Sequence, residues 1–390
     1  MGGIFLTLVV STVKQNNGDD RVALTPDVCA NLVKNDLTVL IEKGSGVAAD
    51  FMDSEYEEAG AKLVDHKEAV TKADILTVVS LPDDKTLGLL SEAQVLLGLI
   101  NPIVQHEKIK KLADQKVTAL AFELLPRTVS RSQTMDALSS QSSVAGYEAV
   151  LDAAAHFKRY LPMMITAAGT AKPANVLVLG AGVAGLQAIG TAKRLGAVVT
   201  GYDVRPDSKG EVESLGAKFL TSSVTAATKG GYARELTSAE HQKQQDELIN
   251  YIGQNDIIIT TAQVPGRTPP LLVPEKAVSA AKAGTVFVDL AASDLGGNVA
   301  GSKPKEVVET ETHVRIIGAS DLPSRLASSS SSMYAKNVQA VIKALVKDSK
   351  VALDVKDDVF GQLTATYQGQ IVSDRLKKAL GQSEKKEAQV

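Results

Sequence analysis

The chain has 390 residues, of which 44% are hydrophobic and 22% are charged. This composition is typical of a globular protein with two or three domains and excludes a wholly disordered chain. With 42 basic and 45 acidic residues, the net charge is −3, and aromatic residues make up only 4%. Neither a strongly basic surface nor an aromatic stacking platform for nucleic acid is therefore expected. The single cysteine, Cys29, excludes an internal disulfide and a multi-cysteine metal site.

No segment reaches the roughly 18 apolar residues that a membrane-spanning helix needs. The first apolar segment, Ile4–Val10, is too short, and it lacks the basic start and small-residue cleavage site of a signal peptide. We interpret it as a buried first strand. A soluble chain is therefore expected, and any association with a membrane would go through a partner.

Short β-branched segments alternate with helical segments over the first 145 residues. Pro26, after a possible capping residue Thr25, begins the first predicted helix. The predicted strands are Ile4–Val10, Thr38–Glu42, Ala61–Val64, Asp74–Ser80, Ala93–Ile100 and Val117–Phe122, and the other predicted helices are Ser54–Ala59, Lys67–Lys72 and Gln105–Gln115. This alternation predicts a parallel sheet with helices on both faces.

A second alternating series begins near Asn175. A breaker-free helical segment, Ser142–Leu161, lies between the two series and is long enough to cross between domains. The predicted strands of the second series are Val176–Leu179, Val198–Tyr202, Ala217–Leu220, Ile257–Thr261, Val286–Asp289 and Val314–Ile317.

The C-terminal region opens with a run of five serines, Ser328–Ser332, followed by the helical pattern Met333–Val346. We interpret the serines as a helix start instead of a flexible linker, because serine caps helices well. The polar end, Gly381–Val390, is predicted to be disordered.

The two series break near residues 145 and 325. We therefore predict an α/β protein of two Rossmann-like, doubly wound parallel-sheet domains joined by long helices. The first domain would be built from both chain ends, residues 1–145 and 326–390. The second would contain residues 146–325.

The segment Gly180–Gly185 matches the G-x-G-x-x-G pattern of a dinucleotide-binding turn. It follows the apolar strand Asn175–Leu179 and precedes the helical segment Leu186–Leu195. The first glycine permits a tight turn, Gly182 lets the backbone approach a pyrophosphate, and the third allows close packing of helix on strand. The positive end of the helix then attracts the anion. A structural glycine turn without a ligand is the alternative.

Asp203 ends the next predicted strand, 23 residues after Gly180. A carboxylate at this place accepts hydrogen bonds from the adenosine ribose and repels a 2′-phosphate, which favours NAD over NADP. Arg205 could attract that phosphate instead, but we expect Asp203 to dominate.

Other catalytic signals are absent from the sequence. None of the five histidines lies at a close metal-binding spacing, and no nucleophile elbow or Walker loop occurs. His156 is interpreted as a surface or packing residue, and Cys29 as a packing residue. The polar segment Glu123–Asp136 is unusual, because it lies between the last strand of the first series and the long helix. It could face a nucleotide across a cleft, or it could be a solvated loop.

Taken with the glycine turn, these segments closely resemble the NAD(H)-binding component, domain I, of proton-translocating nicotinamide nucleotide transhydrogenase. The resemblance covers essentially the whole chain. The most specific segments are Pro126–Asp136, which we call the junction loop, and Gly230-Gly231-Tyr232-Ala233. The others are Arg21–Pro26, Leu138–Ser140, Ala145–Tyr147, Pro162–Thr170, Gly180–Arg194, Asp289–Ala291, Gly296–Asn298 and Ala335–Asn337.

The resemblance implies an oxidoreductase component that is a homodimer and holds NADH. Hydride would pass directly to NADP⁺ on a partner domain, and a membrane-embedded domain would couple the transfer to proton movement. The chain itself would be soluble and peripherally attached to a membrane through these partners, on a cytoplasmic or organelle-matrix side.

By position, the resemblance assigns Arg127, Asp136 and Ser139 to the nicotinamide end and points Gln133 toward the NADP-binding partner. One residue is inserted between Arg127 and Gln133 relative to the usual family spacing, so Arg131 is a rival for the role of Arg127. Because these residues would orient rings and not transfer protons, they are catalytic as positioners.

The remaining contacts implied for the cofactor lie in the second domain. Val183 and Val204 adjoin the glycine turn and Asp203. The residues that match a mobile loop closing over the nucleotide are Gly231, Tyr232 and Gln244. Gln263 stands where the family usually has an apolar residue on the adenine side.

Alanine dehydrogenase is the nearest alternative, because it shares the architecture and the start Arg21–Pro26. Members of that family place a substrate-binding Lys after the strand that is here Asp74–Ser80, and a catalytic His near Leu97–Pro102. Neither residue occurs in those segments. A non-catalytic NAD(H)-sensing protein is a third possibility. Direct hydride transfer needs only two nicotinamide rings held about 3–3.5 Å apart with water excluded, which agrees with a site that lacks His, Cys and metal.

Overall fold

The computed structural model describes residues 7–226, 228–229, 232–234, 236–263 and 268–380. These residues form two compact units. Unit 1 is the described part of Met1–Gln141 and Leu326–Val390, and unit 2 is the described part of Ser142–Arg325. The predicted tail Gly381–Val390 and the start of the predicted first strand, Ile4–Leu6, lie outside the described residues.

The helices and strands follow one another in the alternating order that the sequence predicts. The N-terminal region has β1 (Val9–Thr12), α1 (Pro26–Val33), β2 (Thr38–Glu42), α2 (Asp53–Glu58), β3 (Lys62–Val64), α3 (His66–Thr71), β4 (Ile75–Ser80), α4 (Asp84–Leu87), β5 (Val95–Leu99), α5 (His106–Asp114), β6 (Thr118–Ala121) and α6 (Ala137–His156). Three 3-10 helices add Val47–Ala49, Phe122–Leu124 and Ser130–Met135.

Unit 2 continues with β7 (Met164–Thr166), β8 (Gly169–Ala171), β9 (Asn175–Leu179), α7 (Val183–Arg194), β10 (Val198–Tyr202), α8 (Ser208–Ser214), β11 (Lys218–Phe219), β12 (Thr228–Lys229), β13 (Tyr232–Ala233), α9 (Ser238–Ile252), β14 (Ile257–Thr260), α10 (Glu275–Ala280), β15 (Val286–Asp289), β16 (Val307–Glu309), β17 (Arg315–Gly318) and α11 (Leu322–Arg325). Unit 1 resumes with α12 (Ala327–Leu345), β18 (Val346–Lys347), β19 (Lys350–Val351), α13 (Phe360–Leu363), β20 (Thr364–Tyr367), β21 (Gln370–Ile371) and α14 (Asp374–Ala379).

The sheet of unit 1 has eight strands in the order β21-β20-β6-β5-β4-β1-β2-β3. Its six N-terminal strands are parallel, and from β3 to β6 they follow the 3-2-1-4-5-6 order of the Rossmann fold. Because such strands are buried on both faces, β4 is a nearly continuous buried run. An antiparallel edge, β20-β21, extends the sheet. The sequence analysis did not predict this edge, since these strands are short and one is partly polar.

Helix α12 lies against the core of unit 1 and contains the whole serine run. Ser330 and Ser331 are fully buried, and the backbone N–H of Val22 donates to Ser331 Oγ over 2.9 Å. Tyr334, one turn later, donates to the Val78 carbonyl and packs its ring edge-on against Phe122. The interpretation of the serines as part of a helix and not a linker is thus confirmed.

The sheet of unit 2 has seven strands in the order β11-β10-β9-β14-β15-β17-β16. All neighbours are parallel except β16 and β17, which pair antiparallel. From β11 to β17 the order is again 3-2-1-4-5-6. Two Rossmann-like parallel sheets are therefore confirmed, each with an antiparallel edge that the sequence analysis did not predict.

Helix α6 begins and ends five residues earlier than the predicted helix Ser142–Leu161. It begins at Ala137 because the Asp136 carboxylate accepts the backbone N–H of Ser139 over 2.9 Å, as a helix cap does. It ends at His156, and the next residue, Phe157, packs into the core of unit 2. The apolar spacing used for the prediction is weak in the first turns of α6, which are rich in serine and glutamine.

Within the described ranges, no helix is both long and apolar enough to cross a lipid bilayer. The same residues contain no group of three or more His, Cys, Asp or Glu side chains that could hold a metal ion.

Candidate functional site: the glycine turn and the junction loop

The glycine turn connects β9 to α7 in unit 2, and two of its glycines are required by packing. Gly180 has φ +103°, and a Cβ there would lie 2.5 Å from Thr261 Oγ1 at the end of β14. A Cβ on Gly185 would lie 1.8 Å from the Gly180 carbonyl oxygen. Since neither position accepts a side chain, helix α7 starts directly behind the sheet edge.

Gly182 differs from the other two, because a Cβ there would meet no atom within 4 Å. It is the N-cap of α7, and no side chain caps the helix. The first backbone bond of the helix runs from the Leu186 N–H to the Gly182 carbonyl, so the preceding N–H groups point outward without helical partners. Val183, in this first turn, is 37% exposed. The turn is therefore open to an anion such as a pyrophosphate.

Asp203 follows β10 and is bound to the turn. Its Oδ2 accepts the Ala181 N–H over 2.8 Å. Arg205 donates to the same carboxylate through its backbone N–H (2.8 Å), Nε (2.9 Å) and Nη2 (2.9 Å). The hydrogen bond to Asp203 raises the pKa of Arg205 above its ordinary value. Arg205 therefore lies with its charge compensated by Asp203, and a ribose hydroxyl would share this carboxylate with it.

The other predicted contacts of unit 2 are placed differently from one another. Val204 is half-buried, and its carbonyl accepts the Ala226 N–H. Gln263, just past β14, donates through Nε2 to the Leu290 carbonyl. Tyr232 lies in β13, which pairs with β12. Gly231 and the side chain of Tyr232 lie outside the described residues.

Gln244 was expected on a mobile loop, and that expectation is wrong. It lies inside α9, is 2% exposed, and donates through Nε2 to the Tyr202 hydroxyl over 3.0 Å. The helix starts just before it because Thr237 and Glu240 form a capping box. The Oε1 of Gln244 is buried without a hydrogen-bond partner among the described residues, so this amide faces inward beneath the end of β10.

In unit 1, three predicted nicotinamide residues form one contact network. Arg127 donates through Nε to Asp136 Oδ2 (3.1 Å) and through Nη2 to Ser139 Oγ (2.6 Å). Ser139 Oγ donates in turn to Asp136 Oδ2 over 2.7 Å. The side chains of Arg127 and Asp136 keep 29% and 15% exposure. We call these three residues the triad; it presents both donors and an acceptor to solvent.

Arg131, the rival of Arg127, points elsewhere. Its guanidinium forms ion pairs with Asp357, 2.6 Å away, and with Asp358. Gln133 lies on the 3-10 helix Ser130–Met135 with an exposed side chain. Of the two arginines, Arg127 is therefore the one that contacts Asp136 and Ser139.

Two residues near the junction loop were missed. Asn337 on α12 donates to the Thr134 carbonyl and accepts from Ser140; the sequence offered only its place in a resembling segment. Glu123, at the end of β6, accepts the Asn101 N–H through Oε1 over 2.8 Å, and burial raises its pKa to about 7. No spacing rule signals either contact, because both partners are distant in the chain.

The two Rossmann-like units, with an open glycine turn and an acidic residue at the end of the following strand, define a dinucleotide-binding α/β protein. Two family models match: the alanine dehydrogenase/PNT N-terminal domain over residues 13–145 and the alanine dehydrogenase/PNT C-terminal domain over residues 149–374. The chain belongs to the alanine dehydrogenase/PNT family, as its sequence predicted.

Relatives show which branch it resembles. The first segment of NAD(P) transhydrogenase subunit alpha, a separate protein in Rickettsia prowazekii, is 41% identical over 372 residues, which covers 94% of this chain and 96% of that protein. The protein of the same name from Rhodospirillum rubrum is 42% identical over 371 residues, with 92% and 96% covered. The crystal structure of transhydrogenase from Sinorhizobium meliloti matches with a TM-score of 0.84 and 38% identity, covering 94% of this chain and all of that one. The chain is thus homologous to the transhydrogenase alpha subunit over nearly its whole length.

Proposed function

We propose that this chain is the NAD(H)-binding component of a proton-translocating nicotinamide nucleotide transhydrogenase. It would present NADH for direct hydride transfer to NADP⁺ on a partner domain. The observation that carries the proposal is the triad of Arg127, Asp136 and Ser139, formed by residues that the resemblance assigns to the nicotinamide. Homology to named alpha subunits of transhydrogenases supports it.

The triad suits the carboxamide of a nicotinamide, which has one acceptor oxygen and an amide donor. Arg127 and Ser139 offer donors, and Asp136 offers an acceptor. Because both donors are already bound to Asp136, their directions are set before a ligand arrives, which lowers the cost of orienting it. Bound NADH would supply a hydride that leaves its ring with both electrons and joins the ring of NADP⁺. No proton is gained or lost, so the triad only has to orient.

Unit 2 would hold the rest of the dinucleotide. The N–H groups at the start of α7, beside Gly182, would bind the pyrophosphate. Asp203 would accept hydrogen bonds from the adenosine ribose. Since Arg205 is already paired with Asp203, a 2′-phosphate would meet a compensated arginine and a carboxylate. This arrangement favours NAD(H) over NADP(H) on this chain.

The proposal includes the assembly. Gln133, with its exposed side chain, would face the NADP-binding partner. The chain would act as a homodimer attached to a membrane through NADP-binding and membrane-embedded domains, which couple the transfer to proton movement. The relatives' name, which describes one segment of a divided alpha subunit, supports the existence of partner subunits.

The end of β4 argues against alanine dehydrogenase activity. Ser80 ends this strand, beside the place where a substrate-binding Lys would be expected, and its backbone N–H and hydroxyl both donate to Gln15 Oε1. Asn17 donates to Ser80 Oγ over 2.8 Å. This cluster is neutral, whereas reductive amination of an oxo acid needs a proton-transfer group and a cationic anchor.

The test is to mix the chain with a transhydrogenase NADP-binding domain, NADPH and the acetylpyridine analogue of NAD⁺. Reduction of the analogue, followed by absorbance, is expected at a rate far above that of either protein alone. No rate above background would contradict the proposal. NADH binding without transfer would favour a sensing protein, and NADH oxidation with pyruvate and ammonia would favour alanine dehydrogenase.

A further inference from the structure

We propose that Asn337 is a positioning residue that holds Asp136 and Ser139 in the geometry of the triad. The inference rests on the proposed nicotinamide role of that triad. Among the described residues, the side-chain hydrogen bonds of Asn337 go to the residues on either side of Asp136 and Ser139, and it acts on the triad through them.

Asn337 makes one hydrogen bond to each flank of Asp136. Its Nδ2 donates to the Thr134 carbonyl over 2.8 Å, and its Oδ1 accepts from Ser140 Oγ at 2.7 Å. A carbonyl can only accept, so the contact with Thr134 fixes which end of the amide carries the nitrogen. The amide is therefore used in both directions, as donor and as acceptor.

The backbone needs such support at this point. Thr134 is in the last turn of the 3-10 helix, Ser140 is in the first turn of α6, and Asp136 between them has φ −74° and ψ +80°. These angles belong to neither helix. The backbone bonds next to Asp136 are long: its N–H donates to the Gln133 carbonyl over 3.2 Å, and its carbonyl accepts the Ser140 N–H over 3.2 Å.

The support is rigid because α12 is anchored in the core of unit 1. Asn337 itself is 8% exposed, and its neighbours Val338 and Val341 are fully buried. The next residue of α6, Gln141, also donates to α12, at the Ser330 carbonyl. Helix α12 therefore sets where the first turn of α6 lies, and Asn337 is its contact nearest to Asp136 in sequence.

The experiment compares N337L, N337D and S140A with the wild-type chain. N337L removes both bonds, N337D keeps an acceptor but has no donor when ionised, and S140A removes one bond. S331A is the matched control, because it also removes one buried hydrogen bond of α12, the one from Val22. Affinity for NADH and for ADP-ribose, which lacks the nicotinamide, is measured with each folded protein.

For N337L we expect NADH affinity to fall about tenfold and hydride transfer to the NADP-binding partner to fall on the order of 10²-fold, with ADP-ribose affinity unchanged. N337D should lose less than N337L, and S140A less again. S331A should lower the melting temperature while leaving both affinities unchanged. A purely structural Asn337 would behave like S331A.

Wild-type NADH affinity and transfer rate in folded N337L would overturn the proposal, and so would an equal loss of ADP-ribose binding. If N337L does not fold, a selective loss of NADH binding in S140A supports the proposal and its absence overturns it. A wild-type chain that binds NADH but transfers no hydride would refute the proposed function alone, since the comparison of NADH with ADP-ribose would still decide the role of Asn337.

Discussion

The two units have the same strand order, but their first strand-to-helix connections differ. In unit 2, the three residues from Gly180 to Gly182 join β9 to α7. In unit 1, residues 13–25 join β1 to α1, and α1 begins with Pro26. Proline has no N–H, so it removes one of the donors that an anion would bind at a helix start.

The polar groups near that longer connection are also used internally. Arg21 is bound to Asp19 and donates to Gln141 over 2.7 Å. Unit 1 therefore has the topology of a nucleotide-binding domain without an open phosphate turn among its described residues. The comparison shows that strand order alone does not make a phosphate site, which also needs a short glycine turn with free N–H groups.

The largest expected effect comes from closing the turn of unit 2. G185A should destabilise the chain by about 3 kcal/mol, because the new Cβ would overlap the Gly180 carbonyl oxygen. Urea denaturation measures the loss. G182A is the control, since that position is open: its stability should hold while NADH binding weakens. Equal stability of both variants would show that the two glycines do not differ in their packing.

Breaking the triad tests whether unit 1 contributes to nucleotide binding without a phosphate turn. R127A should weaken NADH binding by about 2–3 kcal/mol, because it removes a charged donor and leaves Asp136 without its cation. Titration of NADH fluorescence gives the affinity. R131A is the control and should bind NADH normally, since Arg131 pairs with Asp357 and Asp358. The reverse result would assign the nicotinamide to Arg131.

The ribose assignment in unit 2 predicts a change of affinity and of preference. D203A should weaken NADH binding by about 1–3 kcal/mol through the loss of a charged acceptor. It should also raise the affinity for NADPH relative to NADH, because Arg205 loses the carboxylate that now compensates it. Calorimetric titration with both nucleotides checks this. The double variant with R205A should lose the gain for NADPH, and unchanged NADH affinity in D203A would refute the assignment.

A smaller effect should distinguish unit 1 through pH. The pKa of Glu123 is raised by burial from 4.5 to about 7, so the folded chain binds a proton there that the unfolded chain releases. The unfolding free energy should therefore fall as the pH rises from about 4.5 to 7, by about 1–2 kcal/mol. E123Q should remove this part of the slope. An identical pH dependence of the melting temperature in E123Q and wild type would contradict the burial of Glu123 as its origin.

Much of the fold could be predicted because its signals are local. The glycine turn, the strand before it and the helix after it lie within about 20 consecutive residues, and each signal acts on its own segment. The sequence alone thus determined the two alternating series, the phosphate turn in Gly180–Gly185 and the polar junction loop.

Tertiary structure decided which of those polar residues meet. Arg127 and Arg131 are equally plausible partners of Asp136 by spacing, and only the folded loop directs Arg131 to Asp357 and Asp358. Asn337 reaches Thr134 and Ser140 across about 200 residues of chain. Such contacts depend on how α12 packs in the core, and the energy of packing is shared among residues far apart in sequence, so no local pattern contains it.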